Sequence, residues 1–147
     1  MDIKKIDDQY SVMAQPGIDD IEQLANAGFR TIIASRPRNE TDDQPDTETL
    51  KTKAESLGIT WHEIPVEPGK YAPEDIEAFA RALQSSTDPV LGYCRTGKRA
   101  IHLWAYAYAN AARHPVTDLL GKASAAGFDL EPLRGDLEAY RNRVVQN

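Results

Sequence analysis

The chain has 147 residues, enough for one domain with a sizeable core, and its 41% hydrophobic and 27% charged residues describe an ordinary globular protein. With 23 acidic against 17 basic residues the net charge is −6, which argues against nucleic acid or an anionic membrane as partner. A single cysteine excludes an internal disulfide, and the three histidines, His62, His102 and His114, lack metal-ligand spacing, so neither a metal nor an organic cofactor is expected.

Residues 3–6 and 10–13 flank Asp7-Asp8-Gln9 and read as a short hairpin at a sheet edge. Pro16-Gly17 breaks the chain. Asp19, with Glu22 three residues on, resembles a capping box that opens a helix to Ala27. Gly28-Phe29, Gly58-Ile59 and Gly127-Phe128 each place a glycine and then an apolar residue after a helical stretch, the pattern of a left-handed helix stop. Residues 30–34 form a β-branched strand, followed by a long polar loop over 35–46. A helix spans 47–57, a strand 59–64 and a proline-containing loop 65–72. Pro73, with Glu74 and Asp75, opens a helix that buries Ile76, Phe79, Ala80 and Leu83.

A strand over 89–93 then runs into Cys94-Arg95-Thr96-Gly97-Lys98-Arg99 and an Ala-rich helix over 98–112, apolar on most sides and therefore central. Pro115 opens a helix to Ala126, and a last helix covers about 130–145 with an interruption at Gly135. Strands alternating with helices predict an α/β fold with a small, mainly parallel sheet flanked by helices, as one domain over 1–147. The loops after the strands, starting at Ser35, Pro65 and Cys94, should converge at the carboxyl ends of that sheet. The N-terminus has no apolar signal-peptide core, and the longest nearly apolar run, 100–112, is too short to span a bilayer, so a cytoplasmic location is expected.

The chemistry concentrates at Cys94. Three cations, Arg95, Lys98 and Arg99, crowd six residues of an acidic chain. A strand ending in a thiol at a helix start aims backbone N–H groups at one point, which binds an anion and favours a thiolate. Arg99 can grip two oxygens in a fork, and Gly97 lets the backbone curl. Cys94 is then the nucleophile, Arg99 its catalytic partner, and Arg95, Thr96, Gly97 and Lys98 the anion cradle. A buried inert cysteine before a solvated basic turn is the plainer reading, and the coincidence of thiol, glycine, arginine and strand-to-helix context outweighs it. Arg36 and Arg38 follow the neighbouring strand, and Arg36 is included as an anion contact; balancing Asp42 and Asp43 on the surface is an equal reading. Trp61 and Trp104 read as core and His62 as structural; Tyr71 could line the pocket but reads first as a surface residue, and His102, one helical turn past Lys98, could face the site but reads first as structural.

Residues 93–100 resemble the loop of the beta-lactamase-hydrolase-like, phosphatase-like domain family. So do the opening residues 1–6, the run 28–33, Arg36-Pro37, and His62-Glu63-Ile64-Pro65-Val66. The resemblance covers almost the whole chain. It implies the fold of dual-specificity protein phosphatases, with the cysteine loop on a central strand and helices on both faces. Some members are described as phosphatases, others as sulfurtransferases.

The loop departs from the phosphatase pattern. Four residues separate Cys94 from Arg99, one fewer than in phosphatases of this fold, and the spacing resembles the Cys-x-x-Gly-x-Arg loop of rhodanese-type sulfurtransferases. Ala100 stands where phosphatases often carry a hydroxyl, a role open to Thr96. Pro68, beside Glu67, stands where dual-specificity phosphatases carry the acid that protonates an alkoxide leaving group, an effect of about 10²–10⁴-fold. Glu67 and Asp75 remain candidate acids. Sulfite needs no such proton, so transfer of sulfane sulfur through a Cys94 persulfide is the favoured expectation, with thiosulfate or a persulfide as donor and a thiol as acceptor. Hydrolysis of a phosphate ester through a phosphocysteine is the alternative, and a non-catalytic anion sensor the third reading.

Overall fold

The computed structural model describes residues 1–111 and 114–146, with side chains described through Arg143. Its strands are β1 (Lys4–Lys5), β2 (Tyr10–Met13), β3 (Thr31–Ala34), β4 (Thr60–Glu63) and β5 (Val90–Tyr93). Its helices are α1 (Ile18–Asn26), α2 (Thr47–Ser56), α3 (Pro73–Ser85), α4 (Lys98–Asn110), α5 (Val116–Ala125) and α6 (Arg134–Gln146), with a 3₁₀ turn at Glu131–Leu133. The five strands form one sheet in the order β1-β2-β5-β3-β4. β1 pairs antiparallel with β2 in the expected hairpin, and the other pairings are parallel. The cysteine strand β5 thus lies between β2 and β3, where both neighbours fix its register: Val12 and Ile33 flank Gly92, and Met13 and Ala34 flank Tyr93.

Alternation along the strands divides the core. Tyr10, Val12, Ile33 and Val90 face α3 to α6, whereas Met13, Ile32, Ala34, Leu91 and Tyr93 face α1 and α2. Helices therefore cover both faces. On the first, α4 packs against α3, α5 and α6, and Ile101, Leu103, Trp104 and Ala105 are fully buried. The expected end of α4 at Ala112 lies outside the described residues. Among the described residues no helix is long and apolar enough to cross a membrane.

The three glycine stops are present. Gly28, Gly58 and Gly127 have φ of 97°, 80° and 95°, and the N–H groups of Phe29, Ile59 and Phe128 donate back to Leu24, Ala54 and Ala123. Two other expectations need correction. α1 is capped by Gly17, not Asp19, because Asp20 reaches back to accept the Gly17 N–H at 2.8 Å. Gly135 does not interrupt the last helix; α6 begins one residue before it, after the 3₁₀ turn.

One close approach ties β2 to β5 and α4. The Tyr10 ring lies over Gly92, meets Phe79 edge-on at 5.7 Å, and its hydroxyl donates to the Ala100 carbonyl at 3.0 Å. A Cβ on Gly92 would fall 1.9 Å from the Tyr10 oxygen. Gly92→Ala is expected to lower unfolding free energy by about 1–3 kcal/mol, the usual range for overpacking, read as a lower urea midpoint at unchanged m-value.

Candidate active site

β5 ends at Tyr93 and α4 begins at Lys98, so only four residues turn the chain from the sheet edge into the helix. Gly97 makes the turn possible: its φ of 94° is left-handed, and a side chain there would press on the Met13 carbonyl at 3.4 Å. The turn folds the loop back over the thiol. Cys94 is fully buried, and its Sγ accepts the N–H groups of Gly97 at 3.1 Å and Arg99 at 3.2 Å. Both bonds strengthen when the sulfur carries charge, and the N-terminus of α4 adds its dipole.

Arg99 is the second residue of α4, buried at 5% exposure. Its Nη1 donates to Glu40 Oε2 at 2.7 Å and to the Val66 carbonyl at 2.9 Å, and its Nη2 donates to Glu40 Oε1 at 2.9 Å. These bonds take one edge of the guanidinium. The Nε–H and the second Nη2 hydrogen take no part in those bonds; Arg99 also has a side-chain hydrogen bond with Cys94, which directs the guanidinium at the sulfur, and an arginine so placed can offer two oxygens a fork. The Glu40 hydrogen bond, followed by the charge of Cys94, holds the Arg99 pKa above its ordinary value against the opposing effect of burial.

Glu40 also accepts Nε–H of Arg36 at 3.0 Å. Arg36 is itself buried and donates further to Gln15 Oε1 and Thr41 Oγ1. The two guanidinium groups lower the Glu40 carboxyl to about 2, the Arg99 hydrogen bond being the larger cause and Arg36 adding to it against burial. Arg38 instead bonds Glu63 and Glu48 at the surface. Neither arginine is ion-paired with Asp42 or Asp43.

Glu40, Thr41, Pro68, Gly69, Tyr71, Arg95, Thr96, Lys98, Arg99 and His102 surround a cavity of about 520 Å³. It is assembled from the three loops expected to meet. Arg95, Thr96 and Lys98 are exposed on its rim, whereas Cys94 and Gly97 are buried beneath the loop and are not among its lining residues. Arg36 lies behind Glu40 and does not line it. Glu67 is exposed and paired with Lys70 at 3.2 Å, and Asp75 caps α3 by accepting the Ala72 N–H; neither lines the cavity. For Tyr71 and His102 the reading that places them at the pocket holds: the Tyr71 hydroxyl bonds His102 Nδ1 at 2.9 Å, and both line the wall. His102 stands three residues past Arg99, on the same helix face, which is the sequence signal for its position. Glu40 was not singled out in the sequence, where it is one acid among several in a polar loop. Among the described residues no group of three or more His, Cys, Asp or Glu side chains is placed to hold a metal ion.

Glu40 links stability to pH. Its folded pKa of about 2 lies below the ordinary 4.5, so its contribution is present above about 4.5 and is lost as pH falls toward 2. Urea titrations of the native protein should show stability declining through that window. Glu40→Gln should flatten the decline while lowering stability at pH 7, because two buried cations lose their counter-charge. An unchanged acid limb in Glu40→Gln would remove this assignment.

The sequence model of the "Beta-lactamase hydrolase-like protein, phosphatase-like domain" family matches residues 2–111. The beta-lactamase hydrolase-like protein of Xylella fastidiosa is 31% identical over 130 residues, covering 88% of this chain and 30% of that protein. The chain thus spans about a third of the length of such relatives. Among solved structures, a candidate phosphatase from Neisseria meningitidis is 37% identical with a TM-score of 0.84, covering 96% of this chain and 99% of that one. Kinase associated phosphatase, crystallised with its catalytic cysteine replaced by serine, shares the fold at a TM-score of 0.71 and 16% identity over 94% of this chain and 88% of that one. The chain belongs to the phosphatase-like domain family of the beta-lactamase hydrolase-like proteins, and its fold is that of the dual-specificity phosphatases.

Proposed function

We propose that the protein is a cysteine-dependent phosphatase acting on a small phosphorylated substrate through a phosphocysteine at Cys94. The observation that carries this reading is the pairing of the Cys94 sulfur, held by two backbone N–H groups, with the Arg99 guanidinium, which bonds that sulfur and is oriented by Glu40 and Val66. The sulfur attacks phosphorus in line with the leaving oxygen. The equatorial oxygens then rest on the loop amides and on Arg99, where charge spreads in the transition state. Water next cleaves the S–P bond and restores the thiolate. Val66 and Glu40 hold Arg99 in its orientation beforehand. The family and the similar structures weigh toward phosphoryl transfer over the sulfur transfer favoured by loop length.

Sulfur transfer is the second reading. It is favoured by the four-residue spacing and by the absence of a free carboxylic acid among the described residues lining the cavity. The same thiolate would take sulfane sulfur from thiosulfate and release sulfite.

Native protein should hydrolyse p-nitrophenyl phosphate, and Cys94→Ser should reduce this to background. Arg99→Lys should lower kcat/KM by about 10²–10³-fold, since one ammonium cannot replace the fork. Rapid acid quenching should trap a phosphate mass on the native protein. Intact mass after incubation with thiosulfate, with Cys94→Ser in parallel, tests the second reading; a cyanide-labile added sulfur without phosphatase turnover would put sulfur transfer first.

A further inference from the structure

The cavity has a second tier of charge outside the seat at Cys94. Arg95 and Lys98 stand exposed on its rim, and neither forms a salt bridge or a side-chain hydrogen bond in the described structure. Asp43 feels the charge of Arg95, yet its carboxylate is bonded to Thr41. Among the described lining residues the one carboxylate is Glu40, engaged by Arg99 and Arg36. A single phosphoryl group is already matched by the loop amides and Arg99. The two rim cations are left to meet further negative charge.

The same cavity is poor in protons. Glu40 is ionised at neutral pH between its two arginines. His102 is held neutral, its pKa lowered to about 4 by burial and then by Lys98. Burial raises the Tyr71 hydroxyl above its ordinary value, and this hydroxyl is bonded to His102. Glu67 and Asp75 are engaged outside the cavity. An alkoxide leaving group needs a proton that none of these groups supplies readily. A phosphate leaving group is weakly basic and needs its charge balanced instead.

We propose that the substrate is a phosphoanhydride, whose terminal phosphoryl group passes to Cys94 while the adjoining phosphate leaves against Arg95 and Lys98. The inference rests on the phosphatase reading and narrows its substrate. In the first step the thiolate forms an S–P bond, the bridging P–O bond breaks, and its electron pair stays on the departing phosphate. In the second step water attacks phosphorus, the S–P bond breaks to restore the thiolate, and the protons of that water stay on the released phosphate. No oxidant, reductant or metal enters the balance.

Phosphate release would be measured from inorganic pyrophosphate, ADP, p-nitrophenyl phosphate and glycerol phosphate, with Cys94→Ser subtracting contaminating activity. The expected result is Cys94-dependent turnover of pyrophosphate or ADP, with glycerol phosphate poorest. The two diphosphate arms separate an inorganic from a nucleotide substrate. Arg95→Ala/Lys98→Ala, both exposed positions, should lower kcat/KM for the diphosphate by about tenfold more than it lowers that for p-nitrophenyl phosphate, the scale of losing charged hydrogen bonds to the departing phosphate. Turnover of the aryl ester without either diphosphate would overturn the inference and leave the phosphatase reading standing. An equal loss on both substrate types would also overturn it. No turnover of any of the four would remove both.

Discussion

The site depends on one carboxylate held between two buried guanidinium groups. Arg36 and Arg99 are each about 95% buried, and burying two guanidinium charges is costly without a counter-charge. Glu40 answers both, joining the loop after β3 to the start of α4 across 59 residues of sequence. The loop is built to present it. Gln44 accepts the N–H groups of Glu40 and Thr41 and donates to the Pro37 carbonyl, and Asn39 takes a left-handed φ of 58°. A polar stretch without regular structure is thereby organised by its own hydrogen bonds. Its length follows from the need to carry a carboxylate across to Arg99.

Order then passes from Glu40 to the sulfur. Glu40 and the Val66 carbonyl fix one edge of Arg99, so its other edge has a defined direction before any ligand arrives. The Arg99 backbone N–H and the Gly97 N–H meanwhile fix the sulfur. Arg99 thus contributes twice, through its main chain to the Cys94 sulfur and, in the proposed reaction, through its side chain to the anion. Preorganisation of this kind is worth most where water is excluded, as at a fully buried cysteine.

Local chemistry was legible in the sequence wherever a residue's role depends on its immediate neighbours. The three glycine stops, Pro73 at the start of α3 and the strand–loop–helix course of the Cys94 segment are of this kind, whereas the central place of the cysteine strand came only from the family resemblance. The caps were legible in type more than in position: Asp20 competes with Asp19 in a run of acids, and the backbone geometry after Pro16-Gly17 decides between them. Glu40 was not legible as a residue, because its partner is 59 positions away and Asp42, Asp43 and Asp46 look alike in composition. A signal did exist. Two arginines in converging loops require a shared acid, and the loop between Ser35 and Thr47 is where it could come from. For Tyr71 the surface outweighed the pocket for a related reason. A tyrosine in a proline-rich loop reads as surface until His102 gives its hydroxyl a partner.

An arginine fork matches any tetrahedral or pyramidal oxyanion presenting two oxygens, so under either proposed reaction a phosphoryl or a thiosulfate group would satisfy Arg99. Loop length therefore bears on the seat, and discrimination among substrates moves to the side from which a group departs. On that side stand a neutral tyrosine–histidine pair on one wall and two unpaired cations on the rim. A wall of this composition stabilises a leaving group that carries its own negative charge and tolerates remaining unprotonated. It stabilises a basic alkoxide far less, since fixed cations offset charge without delivering a proton. The chain's overall −6 sharpens the contrast: a local basic rim on an acidic body focuses attraction on small anions that fit the mouth and repels large polyanions that must lie across the surface.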